Sequence, residues 1–390
     1  MKGKSDYIKV LDLILTHAQS KNYKSNDVSD LMKSKYYLYV KNLPNGIPRK
    51  ILNGSYVRIA QYKPEWIRPF VKDKGYIYPQ GQSIVVRSLV ELAKKNHPLG
   101  DLKEAKKIAD WLIENKSPHS KHFGWGQPFL WYSRKPFPVN IPRATVSSQV
   151  AWAFLDLFEL TGDEQYLDIA KDVCYLFMEE FNYTPDKNGN FCISYTTIDH
   201  YHVHNASILA ASVMMRVYKI LGTSEIGDFA KKAIDFTVSH QNEDGSFYYW
   251  APPDKLNYKI DNYHTGFVLE SLRTIKDDCG DNSYDKPYRD GMEYYFSNLF
   301  DGPMPKITNE RKYPIDIQSC AQSIITFYLD GESPEYSQKV KEIADYALES
   351  FFLEDNNHFA YRIYENGFKD KSYYFRWGDA WMLRALAYLI

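Results

Sequence analysis

No segment of this 390-residue chain approaches the roughly 18 consecutive apolar residues that a membrane span requires, which excludes membrane insertion. The first residues, MKGKSDYIKVLDLILTHAQ, lack an unbroken apolar core and a small-residue cleavage site, because Asp6, Lys9 and Asp12 interrupt them, so no signal peptide is expected. Cysteine is scarce. Cys174, Cys192, Cys279 and Cys320 are scattered, with no CxxC and no zinc-like Cys/His spacing, so neither a disulfide framework nor a structural metal is indicated. With no signal peptide, this points to the cytoplasm. Nor does one sign of charge prevail. The 48 basic and 49 acidic residues leave a net charge of −1 and read as dispersed, giving no footprint for nucleic acid or an anionic membrane, and neither is expected as a partner.

What is present is hydrophobic content of 44% with 25% charge, the balance of a folded domain and not of a disordered chain. Aromatic residues reach 16%, with 33 Tyr and 8 Trp, and rings with polar tips suit surfaces that are both apolar and wet, such as sugar-binding clefts. Helical periodicity comes in pairs, a helix apolar nearly all round followed by an amphipathic one. Val146 to Leu160 precedes Tyr166 to Phe181, with Gly162 to end the first helix and Asp163 to cap the second. Ala206 to Leu221 with Ile226 to His240, and Ile317 to Leu329 with a helix ending near Phe352, repeat the pattern. Equivalent loops follow the second helices at Gly189-Asn190-Phe191, Gly245-Ser246-Phe247 and Asn357-His358-Phe359, and more loosely at His122-Phe123. Apolar helix starts near positions 82, 146, 205, 263, 317 and 376 give one repeat of about 60 residues. The fold expected is an all-α (α/α)6 toroid of six hairpins over residues 1–390, with short β-like loops at its mouth. The unpaired helix at Tyr7 to Ala18 closes the ring beside the unpaired last helix, Gly378 to Ile390.

In such a ring the inner-helix starts converge on one mouth, a natural pocket. The segments there contribute Gln82, Arg143, His200, His202, His204, Asn205, Asp261, Tyr263, His264, Asp316, Gln318, Arg376 and Asp379. Helix capping accounts for the Asp residues singly, though not for the Tyr, His and Arg beside them. The HYHVH run puts His200, His202 and His204 on one face of an extended segment, a pattern that can hold a divalent metal. A zinc site wants a further ligand and orienting partners, so pocket hydrogen bonding is the favoured reading and neither metal nor cofactor is expected. Loops add Trp125, Trp131, Tyr249, Trp250, Arg311, Tyr313, Tyr361, Arg362 and Tyr364. Aromatic faces beside Arg suit sugar rings that bear carboxylates, while Trp131 reads better as a plug.

The run from Thr145 to Asp156, the segments His240 to Tyr249, Asp261 to Gly266 and Tyr313 to Gln322, and Arg376-Trp377-Gly378-Asp379-Ala380-Trp381-Met382 together resemble a bacterial and archaeal family of exopolysaccharide and O-antigen biosynthesis proteins, over nearly the full length. That resemblance implies an (α/α)6 toroid. The segment Asp261-Asn262-Tyr263-His264-Thr265 is also similar to the Asp-Tyr-His-Thr segment of the toroidal domain of glucuronyl C5-epimerases, with Asn262 inserted; there the tyrosine is catalytic, which makes Tyr263 a candidate. Three functions are compatible with these residues. The first is uronate-directed proton abstraction, as in a C5-epimerase or lyase, with Tyr263 and His264 as acid and base and Arg143 and Arg376 neutralising the carboxylate. The second is glycoside hydrolysis by a pair drawn from Asp261, Asp316 and Asp379. The third is glycan binding without turnover, in all cases with an oligo- or polysaccharide as partner.

Overall fold

The structure, a computed structural model, describes residues 2–33, 35–62, 66–68, 75–132, 136–254, 259–280, 282–331 and 333–390. Helix α1 (Lys4–Ser20) is followed by a short excursion with α2 (Lys35–Asn42) and α3 (Ile47–Tyr62). Five hairpins come next: α4 (Pro79–Lys94) with α5 (Leu102–Glu114), α6 (Ala144–Thr161) with α7 (Glu164–Glu179), and α8 (His204–Leu221) with α9 (Ser224–Ser239). Then follow α10 (Asn262–Cys279) with α11 (Asp285–Asn298), α12 (Ile317–Asp330) with α13 (Pro334–Phe351), and the last helix α14 (Asp379–Leu389). The even-numbered helices from α4 to α14 each pack on the next, and α14 packs back on α4, so the inner ring is closed. The expected (α/α)6 toroid is the fold observed.

Side-chain pattern explains the layering. In α8 every residue from His204 to Met215 is buried, as befits a helix covered on all sides. In α5 the buried residues are Ala105, Ile108, Ala109 and Leu112, a single stripe at helical spacing, and the charged face is left to water. Four inner helices end on a glycine in the left-handed conformation, Gly162, Gly222, Gly280 and Gly331, with φ between 64° and 71°, which orphan carbonyls at a helix end favour. Inner helices also approach closely. A Cβ on Gly266 of α10 would lie 2.7 Å from Gln322 Cγ of α12, so only glycine fits that crossing.

The loop after each outer helix folds back onto the start of its own inner helix. Backbone bridges join Arg143 to Thr196, Val203 to Trp250, Asp261 to Thr308, and Ile315-Asp316 to Arg362-Ile363. In three of these loops a tyrosine carbonyl accepts the first N–H of the inner helix: Tyr195 from Ala144 (3.0 Å), Tyr249 from His204 (3.3 Å) and Tyr361 from Ile317 (3.1 Å). The loops equated in the sequence turn alike, with Gly189, Gly245 and Asn357 all at positive φ. Helix α1 lies against α14, with its Tyr7 hydroxyl donating to Asp345 of α13 (2.8 Å), while Tyr23, just past its end, donates to Glu104 of α5 (2.9 Å). The segment after α1 then repeats the loop's task, since Phe375 N–H donates to Ser25 Oγ (3.2 Å) just before α14.

Candidate functional site

Because the inner helices enter the ring in one direction, their positive N-terminal ends converge on the mouth, a field that favours anionic groups. Register decides which side chains reach it. First residues face outward: His204 packs among Phe236, His240 and Phe247, and Asn262 donates to the Leu299 carbonyl of its own hairpin (3.0 Å). The second positions Asn205 and Tyr263 turn the other way, Asn205 beside Asp261 and His264 and Tyr263 toward Asp316, Tyr361 and Arg362.

The centre of the mouth is built on the start of α10. Asp261 caps the helix by accepting His264 N–H (3.0 Å), and its two oxygens stand 2.9 and 2.8 Å from His264 Nδ1. A carboxylate at Nδ1 fixes the tautomer with hydrogen there and leaves Nε2 as the basic nitrogen. The His264 ring lies 4.1 Å from the Tyr263 ring and 4.4 Å from that of Tyr249. Burial, then the negative charges of Asp261 and Asp316, push the Tyr263 phenol well above its ordinary value; burial and Tyr195 do the same for Tyr249. Both are therefore neutral hydroxyls able to give a proton. Asp316 caps α12 by accepting Gln318 N–H (2.9 Å) and pairs with Arg362 Nε (2.7 Å), whose guanidinium lies over Tyr361. Asn205, Tyr249, Asp261, His264 and Thr265 line a cavity of about 10 Å³, room for one water.

The three arginines of the mouth differ in their partners. Arg376 is neutralised by Asp27 (2.9 and 2.6 Å) and bonded to Gln80 (3.0 Å), and Arg362 is paired with Asp316. Arg143 has no carboxylate partner among the described residues. It bonds the Tyr195 hydroxyl, its guanidinium is 4.8 Å from the rings of both Trp131 and Tyr195, and its buried Nε and Nη1 have no hydrogen-bond acceptor among the described residues. A buried, unneutralised guanidinium with free N–H groups is costly unless a ligand completes it.

Other residues assigned to the mouth from the sequence lie elsewhere. Trp125 is fully buried, its indole N–H donating to the Leu112 carbonyl (2.8 Å), so it fills the first hairpin and does not meet a ligand. Gln82 faces outward into a pocket beside Tyr23, Glu104 and Trp111. The histidine run disperses: His200 is exposed, His202 pairs with Asp254 (3.1 Å), and burial lowers buried His204 to about 3. No group of three or more His, Cys, Asp or Glu among the described residues is placed to hold a metal ion. Asp379 is buried, accepts Phe359 N–H (2.9 Å), and is pushed up to about 8 by burial, which makes it a neutral tie between loop and inner helix. Trp250 stays half-buried at the rim, edge-on to Tyr249 (5.2 Å) and to Tyr201 (5.8 Å). Tyr195, Asp27 and Tyr374 belong to the mouth and escaped the sequence reading. For Tyr195 a signal existed, since Tyr195, Tyr249 and Tyr361 fall one and then two repeats apart.

The fold has many solved counterparts at low identity. Cellobiose 2-epimerase from Bacillus thermoamylovorans superposes with a TM-score of 0.62 at 11% identity, covering 80% of this chain and 88% of that one. A glycoside hydrolase family 76 mannosidase from Bacteroides thetaiotaomicron gives 0.63 at 14%, covering 98% of each chain. A polysaccharide lyase gives 0.57 at 14%, covering 85% of this chain and 95% of that one. No protein-family model and no curated protein sequence matches the chain.

Proposed function

We propose that this chain is a carbohydrate-active enzyme that removes and returns a proton beside the carboxylate of a uronate residue in an oligo- or polysaccharide, serving polysaccharide biosynthesis in the cytoplasm. The observation that carries the reading is the Asp261–His264 pair set against the Tyr263 and Tyr249 hydroxyls, with Arg143 unneutralised in the same mouth. His264 Nε2 takes the proton on the carbon α to the carboxylate, and the electron pair of the broken C–H bond moves into the carboxylate held by Arg143. The inner-helix N-termini stabilise the growing charge. If Tyr263 protonates the same carbon on its other face, the sugar is epimerised. If instead the C4–O bond to the 4-linked sugar breaks, its electron pair leaving on the oxygen that Tyr263 protonates, the former C–H pair forms a C4–C5 double bond and the glycan is cleaved. Either course is redox-neutral. The fold shared with an epimerase, a mannosidase and a polysaccharide lyase supports a glycan as substrate. The unit proposed to act is the whole of residues 1–390, with α1 as the sixth outer helix.

Hydrolysis is the second reading, favoured by Asp261 and Asp316 at neighbouring inner-helix starts. It ranks lower because hydrolysis wants one carboxyl of the pair protonated as an acid beside the substrate, while Asp261 is bonded to His264, Asp316 to Arg362, and Asp379, which burial keeps protonated, is enclosed and tied to Phe359 N–H. The test is incubation of the protein with uronate-containing oligosaccharides in D2O, followed by NMR. Deuterium at the carbon beside the carboxylate, lost in Tyr263→Phe and in His264→Ala, is the expected result; reducing ends without deuterium or unsaturation would establish hydrolysis instead, and binding without any product would establish a glycan-binding protein.

A further inference from the structure

The even spread of charge expected from the whole chain fails in two acid-free stretches, 115–155, which includes Arg143, and 31–62, and among the described residues only the second carries an outward apolar stripe among its cations. Residues 31–62 contain Lys33, Lys35, Lys41, Arg49, Lys50 and Arg58 and no Asp or Glu, although acidic residues average 49 in 390. This stretch is the α2–α3 hairpin, and its α3 helix is folded with its aliphatic stripe outward. Ile47, Ile51 and Ile59, at 74%, 61% and 38% exposure, fall on one side of the helix at intervals of four and eight residues. Lys50 and Arg58 are exposed alongside. The opposite side is the one that packs, with Tyr56 buried and its hydroxyl donating to the Leu31 carbonyl (2.7 Å). Tyr39 and Trp66 add exposed rings at 65% and 63%. A soluble helix normally shows the reverse arrangement, and an exposed apolar stripe of this kind marks an interaction surface.

We propose that the α2–α3 hairpin is a docking surface for an anionic lipid bilayer, lying in the headgroup plane with Ile47, Ile51 and Ile59 in the acyl boundary and Lys50 and Arg58 on the headgroups. Charge selects this occupant. A second copy of the chain would bring two faces of like charge together, which costs association. Nucleic acid would accept the cations but offers nothing to an outward row of isoleucines, whereas an anionic interface satisfies both, with tyrosine and tryptophan at headgroup depth. No helix among the described residues is long and apolar enough to cross a membrane, so contact is peripheral. The base of the hairpin is tied to the mouth: Arg68 pairs with Asp30 (2.9 Å) and reaches the Tyr374 hydroxyl (3.4 Å), and Tyr374 packs edge-on against Tyr361 (5.3 Å). This inference does not depend on the reaction proposed above.

The test is co-sedimentation of the full chain with vesicles of phosphatidylcholine and of phosphatidylcholine with 30% phosphatidylglycerol, beside Ile47→Ser/Ile51→Ser and Lys50→Glu/Arg58→Glu variants whose unchanged melting temperature shows that they fold. The expected result is binding to the anionic vesicles at least tenfold tighter than to neutral ones, at least tenfold weaker in both variants, and weakened by salt. Absence of binding to anionic vesicles would overturn the proposal. So would equal binding by the variants, salt-sensitive binding confined to a DNA duplex, or a concentration-dependent dimer that the isoleucine variant abolishes.

Discussion

The two ends of the ring carry similar residues and treat charge in opposite ways. At the end away from the mouth a cavity of about 260 Å³ is lined by arginines that all face carboxylates. Arg87 pairs with Asp156 (2.8 Å), Arg216 with Asp278 (2.9 Å), Arg273 with Asp277 (3.2 Å) and buried Arg384 with Glu270. At the mouth Arg143 has no carboxylate partner among the described residues and meets the Tyr195 hydroxyl and the Trp131 and Tyr195 rings, while Asp261 holds His264 through Nδ1. With the function proposed above, a ring whose arginines are matched at one end and which leaves Arg143 without a carboxylate at the other separates stability from function along its axis. The same separation is visible within the mouth, where Arg376 and Arg362 are balanced by Asp27 and Asp316 and serve to position the loops.

Substitutions test that separation most strongly at the two centres. His264→Ala is expected to lower turnover on the substrate by about 10²- to 10⁴-fold, the usual contribution of a positioned base, with a melting temperature close to that of the parent; a large fall in melting temperature with normal turnover per folded molecule would reverse the assignment of the two ends. Glu270→Ala is expected to do the opposite. It leaves the Arg384 charge buried and unpaired, at a cost of about 3 to 5 kcal/mol in denaturant unfolding, while turnover per folded molecule is retained.

Arg143→Met sharpens the contrast, because removing an unneutralised buried cation should leave stability unchanged or raise it. Substrate KM should rise by a factor equivalent to about 1.5 to 3 kcal/mol, the worth of a charged hydrogen bond. Equal losses of stability in Arg143→Met and Glu270→Ala would erase the difference between the ends. Asp379 gives the smallest effect per step and a definite sign. Its folded value of about 8 lies above the unfolded value near 3.9, so folding takes up a proton between those limits. The contribution of Asp379 to stability is therefore fully present below about pH 4 and is lost as the pH rises through about 8. Asp379→Asn keeps an acceptor for Phe359 N–H and cannot ionise. Melting curves should show the variant gaining on the parent across that window and a constant difference outside it.

Much of the fold was legible in the sequence because a 60-residue repeat leaves a periodic apolar signal and glycine marks its turns. The inner-helix starts observed at 79, 144, 204, 262, 317 and 379 lie within three residues of those expected. The site was legible only as a neighbourhood. Which of two adjacent residues faces the axis depends on helix phase, and one step separates outward His204 from inward Asn205, or outward Asn262 from inward Tyr263. Partners distant in sequence were beyond reach for the same reason: Asp27, which neutralises Arg376, lies 349 residues away. Trp125 shows the limit of composition, since a tryptophan at the level of a sugar cleft and one that plugs a hairpin look alike until its indole N–H finds the Leu112 carbonyl. The outward stripe of α3 was missed because whole-chain charge averages it away.

The most direct test of the central claim is a crystal structure of the protein soaked with a uronate-containing oligosaccharide. The account predicts a sugar in the mouth with its carboxylate on Arg143 Nε or Nη1 and its α carbon facing His264 Nε2. A sugar bound instead among Arg87, Glu270 and Arg384 at the opposite end, with the mouth empty, would contradict it.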